Sequence, residues 1–107
     1  MQKFDLNSFT KGWFIGDFSP TISNTDKFEA SIKRYNKGDY EESHVHKIAD
    51  EITVIISGKV SMNGVTYKKN DVLLIEKGES TDFKVLSKEA TTCVIKFPSV
   101  KGDKYKV

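Results

Sequence analysis

Cysteine is nearly absent from this chain of 107 residues, since Cys93 is the only one. A disulfide within the chain is therefore impossible. The thiol stands in the apolar-leaning run TTCVIKF. This setting favours a small buried side chain over a nucleophile, because a reactive thiol needs electropositive and accessible surroundings.

Long apolar runs are also missing. The longest wholly aliphatic run is Val72 to Ile75, and the opening MQKFDLNSFTKGW has no apolar segment of the kind found in a signal peptide. We therefore expect a cytoplasmic protein that neither spans nor enters a membrane.

Charge of one sign is not concentrated anywhere in the chain. Sixteen lysines and one arginine face fifteen acidic residues, for a formal net charge of +2. No basic stripe with interleaved aromatic residues occurs, which argues against nucleic acid as a partner. The length suits one hydrophobic core, so we expect a single domain over residues 1–107.

What the sequence does contain is period-two patterning, which predicts an all-β chain. The segment KVSMNGVTY predicts a hairpin, because Asn63-Gly64 suits the positive φ angles of a type I′ turn. Further strands are predicted in FEASIKRY, EITVIIS, DVLLIE, TDFKVL and ATTCVIKF. Such regular short strands are typical of a β-sandwich or β-barrel. The tail VKGDKYKV is either frayed or pinned by Tyr105.

Alternation within two of these strands assigns their faces. Arg34 shares a face with the apolar positions of FEASIKRY. Its guanidinium can reach water at a barrel rim or bind an anion in the barrel mouth, and both interpretations stay open. Lys96 has the opposite parity from the apolar positions of ATTCVIKF, and we expect it to face outward.

Both histidines of the chain lie two residues apart, at His44 and His46, and Glu51 follows five residues later. Residues two apart on a strand project from the same face, and the short connection KIAD can bring the carboxylate beside them. Two imidazoles and a carboxylate suit Fe, and also Mn, Ni or Zn. The alternative is a polar pocket that holds no ion.

The stretch GDYEESHVHKIADEITVIISG, from Gly38 to Gly58, resembles the first conserved motif of the cupin superfamily at every defining position. The segment NDVLLIEKGESTDF is similar to the second cupin motif, with Gly78 in its glycine place. It departs from that motif at three positions, where the family's glycine, proline and histidine are replaced by Asn70, Glu76 and Thr81. The resemblance covers residues 28–98 and leaves an N-terminal strand and loop (1–27) and the tail (99–107) outside it.

The resemblance implies an antiparallel β-barrel of jelly-roll type, with His44, His46 and Glu51 as ligands of a divalent metal inside the barrel. The family's fourth ligand is missing at Thr81. Arg34, Thr81 and Phe83 are then candidates for contacts with a bound molecule. We expect a pocket for a small polar ligand centred on Fe, Mn, Ni or Zn. The alternatives are a metal-dependent enzyme, such as a dioxygenase or a sugar or keto-acid isomerase, and a metal-free binding protein.

The N-terminal aromatic segment GWFIGDF suggests how the chain assembles. A domain this small leaves strand edges exposed unless something covers them, and this segment is apolar enough to do so. We therefore predict a homodimer in which residues near Trp13 to Phe18 lie at or near the interface.

Overall fold

Ten β-strands and two single-turn 3-10 helices make up the structure, a computed structural model that describes all 107 residues. The two 3-10 helices span Leu6–Ser8 and Thr10–Gly12. The strands are β1 (Trp13–Ile15), β2 (Glu29–Asn36), β3 (Tyr40–Val45), β4 (Asp50–Ser57), β5 (Lys59–Met62), β6 (Val65–Lys68), β7 (Val72–Ile75), β8 (Ser80–Val85), β9 (Glu89–Phe97) and β10 (Tyr105–Lys106).

The strands form two five-stranded antiparallel sheets. We call β1-β2-β9-β4-β7 the first sheet and β10-β3-β8-β5-β6 the second. Buried side chains of both sheets meet in one core cluster, which includes Ile55 of β4 and Val60 of β5. The expectation of an all-β jelly roll is confirmed.

The hairpin between β5 and β6 turns where the sequence predicts. Asn63 and Gly64 have φ angles of 51° and 78°, which a type I′ turn requires. The Asn63 side chain also ties the turn to β8, because its amide donates to the carbonyl oxygen of Ser80 at 2.9 Å. Beside this turn, β5 pairs with β8 through Val60 opposite Val85 and Ser61 opposite Lys84.

The residues of β4 that point into the barrel change from polar to apolar along the strand. Glu51 and Thr53 line a polar cavity, whereas Ile55, on the same face, is fully buried in the apolar core. Met62 and Phe83 lie at the boundary and contribute to both regions. The jelly roll is therefore packed on one side of this boundary and hollow on the other.

The faces of β2 and β9 are the reverse of the sequence-based expectation. Lys33 lines the cavity, whereas Arg34 is exposed and lies outside it. On β9, Lys96 also lines the cavity, so the expectation that it faces outward is wrong. The physical reason is that this part of the interior is polar, so that Ile32 of β2 and Cys93 and Ile95 of β9 face out.

Those apolar positions line up across the outside of the first sheet. The register places Ala30, Ile95, Ile52 and Leu74 in one row and Ile32, Cys93, Val54 and Val72 in the next. We call these two rows the outer apolar face. Its β7 end is the most exposed, with Leu74 at 57% and Val72 at 66% of full exposure.

Both terminal segments belong to the sheets. β1 pairs with β2, and β10 pairs with β3 through Tyr105 opposite Val45. The ammonium group of Lys47 lies 4.1 Å from the centre of the Tyr105 ring. The tail is therefore pinned rather than frayed. No helix in the structure has the length and apolar character needed to cross a membrane.

Candidate functional site

The polar cavity has a volume of about 210 Å³ and receives side chains from both sheets. Fifteen residues line it: Lys11, Trp13, Lys33, Tyr35, Glu41, His44, Glu51, Thr53, Met62, Thr81, Phe83, Thr92, Val94, Lys96 and Lys104. Drug-sized ligands occupy pockets of roughly 300–1,000 Å³. This cavity therefore suits a smaller molecule.

His44 lies near the end of β3 and faces the cavity directly across from Thr81 of β8. Its Nδ1 lies 2.9 Å from the carbonyl oxygen of Glu42. Because a carbonyl only accepts, Nδ1 carries the proton, and in the neutral ring Nε2 keeps its lone pair. This is the tautomer that a metal-ligating histidine uses.

His46 follows the end of β3 and is held in the same way. Its Nδ1 donates to the carbonyl oxygen of Asp103. Its Nε2 is buried, lies 3.4 Å from Oε1 of Glu51 and makes no hydrogen bond of good geometry. The ring centres of His44 and His46 are 5.2 Å apart. His46 lines an adjacent pocket of about 220 Å³, which also contains Asp103, instead of the main cavity.

Glu51 lies in the wall of the main cavity, and its side chain is positioned from two sides. The hydroxyl of Thr53, which is itself only 2% exposed, donates to Oε2 at 2.8 Å. Burial raises the pKa of Glu51, but the contacts with His46 and Thr53 and the charge of Lys96 outweigh it, and the pKa lies below its ordinary value. The carboxylate is therefore ionised at neutral pH.

Asp103 connects the tail to this site. Its carboxylate accepts hydrogen bonds from the backbone N–H groups of Lys47, Ile48 and Ala49, at 2.9 to 3.2 Å. Burial raises the pKa of Asp103, but these backbone hydrogen bonds together lower it below its ordinary range. The residue thereby fixes the connection between His46 and Glu51.

The donor set fits a divalent metal chemically. His46 presents a buried Nε2 without a hydrogen bond, and the Nδ1 groups of both histidines are bound to carbonyl oxygens. Glu51 supplies an anionic oxygen. The structure contains no cluster of three such side chains already close enough to share an ion. An ion would have to draw His44, His46 and Glu51 closer together.

The first sheet, which carries Glu51, also gives the cavity cationic and aromatic side chains, and Lys96 is the cross-strand neighbour of Glu51. The ammonium groups of Lys33 and Lys96 lie 4.8 Å and 5.2 Å from the centre of the Trp13 ring. Tyr35 packs on Phe83, with ring centres 4.9 Å apart. Burial raises the pKa of Tyr35, so its phenol stays neutral and can donate a hydrogen bond.

The other sequence-predicted residues occupy different places. Thr81 and Phe83 are buried and line the cavity, and the Thr81 hydroxyl donates to the carbonyl oxygen of Asp82 at 2.8 Å. Arg34 lies in an external groove between β2 and the N-terminal segment, where Leu6 and Phe9 are neighbours. The structure thus separates Arg34 from the other candidates.

Solved structures of other proteins share this arrangement of strands. A double-stranded β-helix protein from Klebsiella pneumoniae matches with a TM-score of 0.70 and 15% identity, over 94% of this chain and 88% of that one. A cupin-2 domain protein from Shewanella frigidimarina matches with a TM-score of 0.56 and 15% identity, over 69% and 74%. The protein has a cupin fold.

The DMSP lyase DddQ from Ruegeria pomeroyi has a similar cupin-type structure, with a TM-score of 0.72 and 17% identity. The match covers 89% of this chain and 49% of the lyase. No protein-family model matches the chain, and no curated protein matches it by sequence. At these identities the similarity shows the fold alone.

Within this cupin fold, sequence reasoning missed Thr53, Lys33, Lys96 and Asp103. A pattern for Thr53 was present, because it lies two residues after Glu51 and so shares its strand face. Lys33 and Lys96 lie on the polar faces of β2 and β9, and no local pattern indicates that these faces point into the barrel. Asp103 could not be found, because its partners lie more than fifty residues away.

Proposed function

We propose that this protein binds a small polar molecule in the cavity, beside a divalent metal ion held by His44, His46 and Glu51. The observation that carries the proposal is the Nε2 of His46, which is buried beside an ionised carboxylate and has no hydrogen bond of its own. A buried polar atom without a partner costs free energy, and an ion would remove that cost.

The donor types suit Fe, Mn, Ni or Zn, since all four accept imidazole nitrogen and carboxylate oxygen. Such an ion supplies Lewis acidity and open positions for a ligand. The chain's own residues do the rest: Thr53 orients Glu51, Asp103 orients His46, and the narrow cavity limits the size of the bound molecule.

Metal titration of tag-free protein tests the proposal. We expect Mn(II) or Zn(II) to bind with one ion per chain by calorimetry, and His46→Gln and Glu51→Gln to weaken binding by at least about tenfold, since each removes one ligand. The matched control is Glu76→Gln, which makes the same change at an exposed position. Equal affinity in all four proteins would contradict the metal site.

A second candidate is a cavity that binds its ligand without metal. Two observations favour it. No three ligating groups are already clustered, and Thr81, which cannot readily bind a transition ion, stands opposite His44. In that case His46 and Glu51 form a polar pair, and ligand binding is unchanged by a chelator.

A further inference from the structure

Two lysine ammonium groups lie over one indole ring at the cavity wall. Lys33 projects from β2 and Lys96 from the neighbouring β9, and both face the interior. Their Nζ atoms are 4.8 Å and 5.2 Å from the centre of the Trp13 ring. The ring attracts each cation, so that two like charges are kept close to the same ring.

Neither ammonium group forms a salt bridge, although Lys96 is the cross-strand neighbour of Glu51. The salt bridges between oppositely charged residues join Glu41 to Lys104 and Glu42 to Lys106, and Oε1 of Glu51 lies 3.4 Å from Nε2 of His46. The two glutamates that line the cavity are therefore already engaged, one of them with the Thr53 hydroxyl as well. A half-buried cation without a direct salt bridge is incompletely compensated for its loss of hydration, and an anion entering the cavity would relieve this.

Two other properties of the cavity are consistent with an anionic ligand. Four lysines and two glutamates line it, an excess of two positive charges when all are ionised. The pKa of Lys33 lies below its ordinary value. Burial is the main cause, and the charge of Lys96 adds to it, whereas the charge of Glu41 opposes it. A negative group placed between the two lysines would raise this pKa again.

We propose that Lys33 and Lys96 form the anion-binding end of the cavity and hold the carboxylate or phosphate group of a small ligand beside Trp13. The inference rests on the proposed function in one respect, namely that this cavity is the ligand site. The lysines belong to the first sheet, where Lys96 is the cross-strand neighbour of Glu51, whereas His44 belongs to the second sheet. The ligand therefore has an anionic group beside Trp13 and a polar group directed toward His44.

Trp13 makes the proposal directly measurable, because it is the only tryptophan in the chain. An anion that draws the ammonium groups away from the indole ring changes its fluorescence. The experiment titrates pyruvate and inorganic phosphate, separately, into tag-free protein treated with a chelator, at ionic strength held constant with sodium chloride. The variants are Lys33→Gln and Lys96→Gln, and the matched control is Lys84→Gln, an exposed lysine of β8.

We expect a saturable change with at least one probe. Lys33→Gln and Lys96→Gln should each weaken it by about tenfold or more, the effect of losing one charge-assisted hydrogen bond, and Lys84→Gln should leave it unchanged. Tighter binding of pyruvate assigns a carboxylate ligand, and tighter binding of phosphate assigns a phosphorylated one. Circular dichroism checks that each variant is folded. If only one of the two lysine variants folds, its anion affinity is sufficient to test the proposal.

The inference is overturned if neither probe gives a saturable change, or if Lys84→Gln weakens binding as much as the cavity variants do. The metal site is tested independently in the same proteins. His46→Gln should lose metal affinity and keep anion binding. Anion binding without any metal binding would therefore reject the ion and retain the lysine subsite, whereas metal binding without anion binding would do the reverse.

Discussion

The main-chain carbonyl oxygen of Asp103 accepts a hydrogen bond from Nδ1 of His46, a residue 57 positions earlier in the chain. The carboxylate of the same aspartate accepts three backbone N–H groups that follow His46. One tail residue thus fixes both the histidine ring and the loop that leads to Glu51.

Asp103→Asn should lower the free energy of unfolding by about 2 kcal/mol. The amide has nearly the same volume, but it loses the negative charge and turns an NH₂ group toward one or more backbone donors. Urea unfolding measures the change. Asp26→Asn is the control, because Asp26 is exposed. Equal stability of the two variants would show that the Asp103 carboxylate does not stabilise this loop.

Acid should remove the same contribution from the native protein. The folded-state pKa of Asp103 lies below its unfolded value, so its contribution is complete above the unfolded pKa and is lost as the pH falls through the folded pKa. The stability difference between native protein and Asp103→Asn should be constant near pH 7 and shrink below about pH 4. Unfolding curves at several pH values measure it. A difference that does not depend on pH would contradict an ionised Asp103.

The sequence predicted most of the fold, because strand alternation and turn chemistry are local. The Asn63-Gly64 hairpin is an example, since its φ angles are a property of those two residues. The motif spacing also predicted that His46 and Glu51 lie near each other, and Nε2 of His46 is 3.4 Å from Oε1 of Glu51. The orientation of the His46 ring was not predictable, because Asp103 sets it from a distant segment.

The faces of β2 and β9 illustrate the opposite case. Hydrophobic alternation indicates which residues share a face but not which face is interior. In most small domains the apolar face packs inward, and that assumption placed Lys96 outside. Here a polar cavity fills part of the interior, and so Lys33 and Lys96 point inward while Ile32 and Cys93 face out.

Thr53→Val should destabilise the protein by about 1.5 kcal/mol and weaken metal binding, because Glu51 loses its hydroxyl donor while the side-chain volume is kept. Ser31→Ala is the control, since it removes a buried hydroxyl that has no hydrogen-bond partner. That variant should be as stable as the native protein or more so. Thermal unfolding and calorimetry measure both effects. If both variants behave alike, the hydroxyl of Thr53 has no special role.

Thr81→His should tighten Mn(II) or Zn(II) binding by at least about tenfold, because Thr81 lies directly opposite His44 and an imidazole there would supply a fourth ligand. Paired titrations of metal and of pyruvate or phosphate measure the result. Unchanged metal affinity with weaker anion binding would instead favour the metal-free cavity, which the larger side chain would partly fill.

A homodimer with residues near Trp13 to Phe18 at or near its interface remains a prediction. In the structure β1 forms one edge of the first sheet, so this segment and the outer apolar face belong to the same layer. Light scattering at tens of micromolar should report twice the mass of the 12.1 kDa chain. A monomer at that concentration would contradict the prediction.

Cys93 stands in the middle of the outer apolar face, between Ile32 and Val54. Its side chain is half-buried, and burial raises the pKa of its thiol. Since it is the chain's single thiol, its alkylation rate reports on one defined spot of that surface. A rate that falls as protein concentration rises would show a second molecule covering the face, and a constant rate would show it open to water.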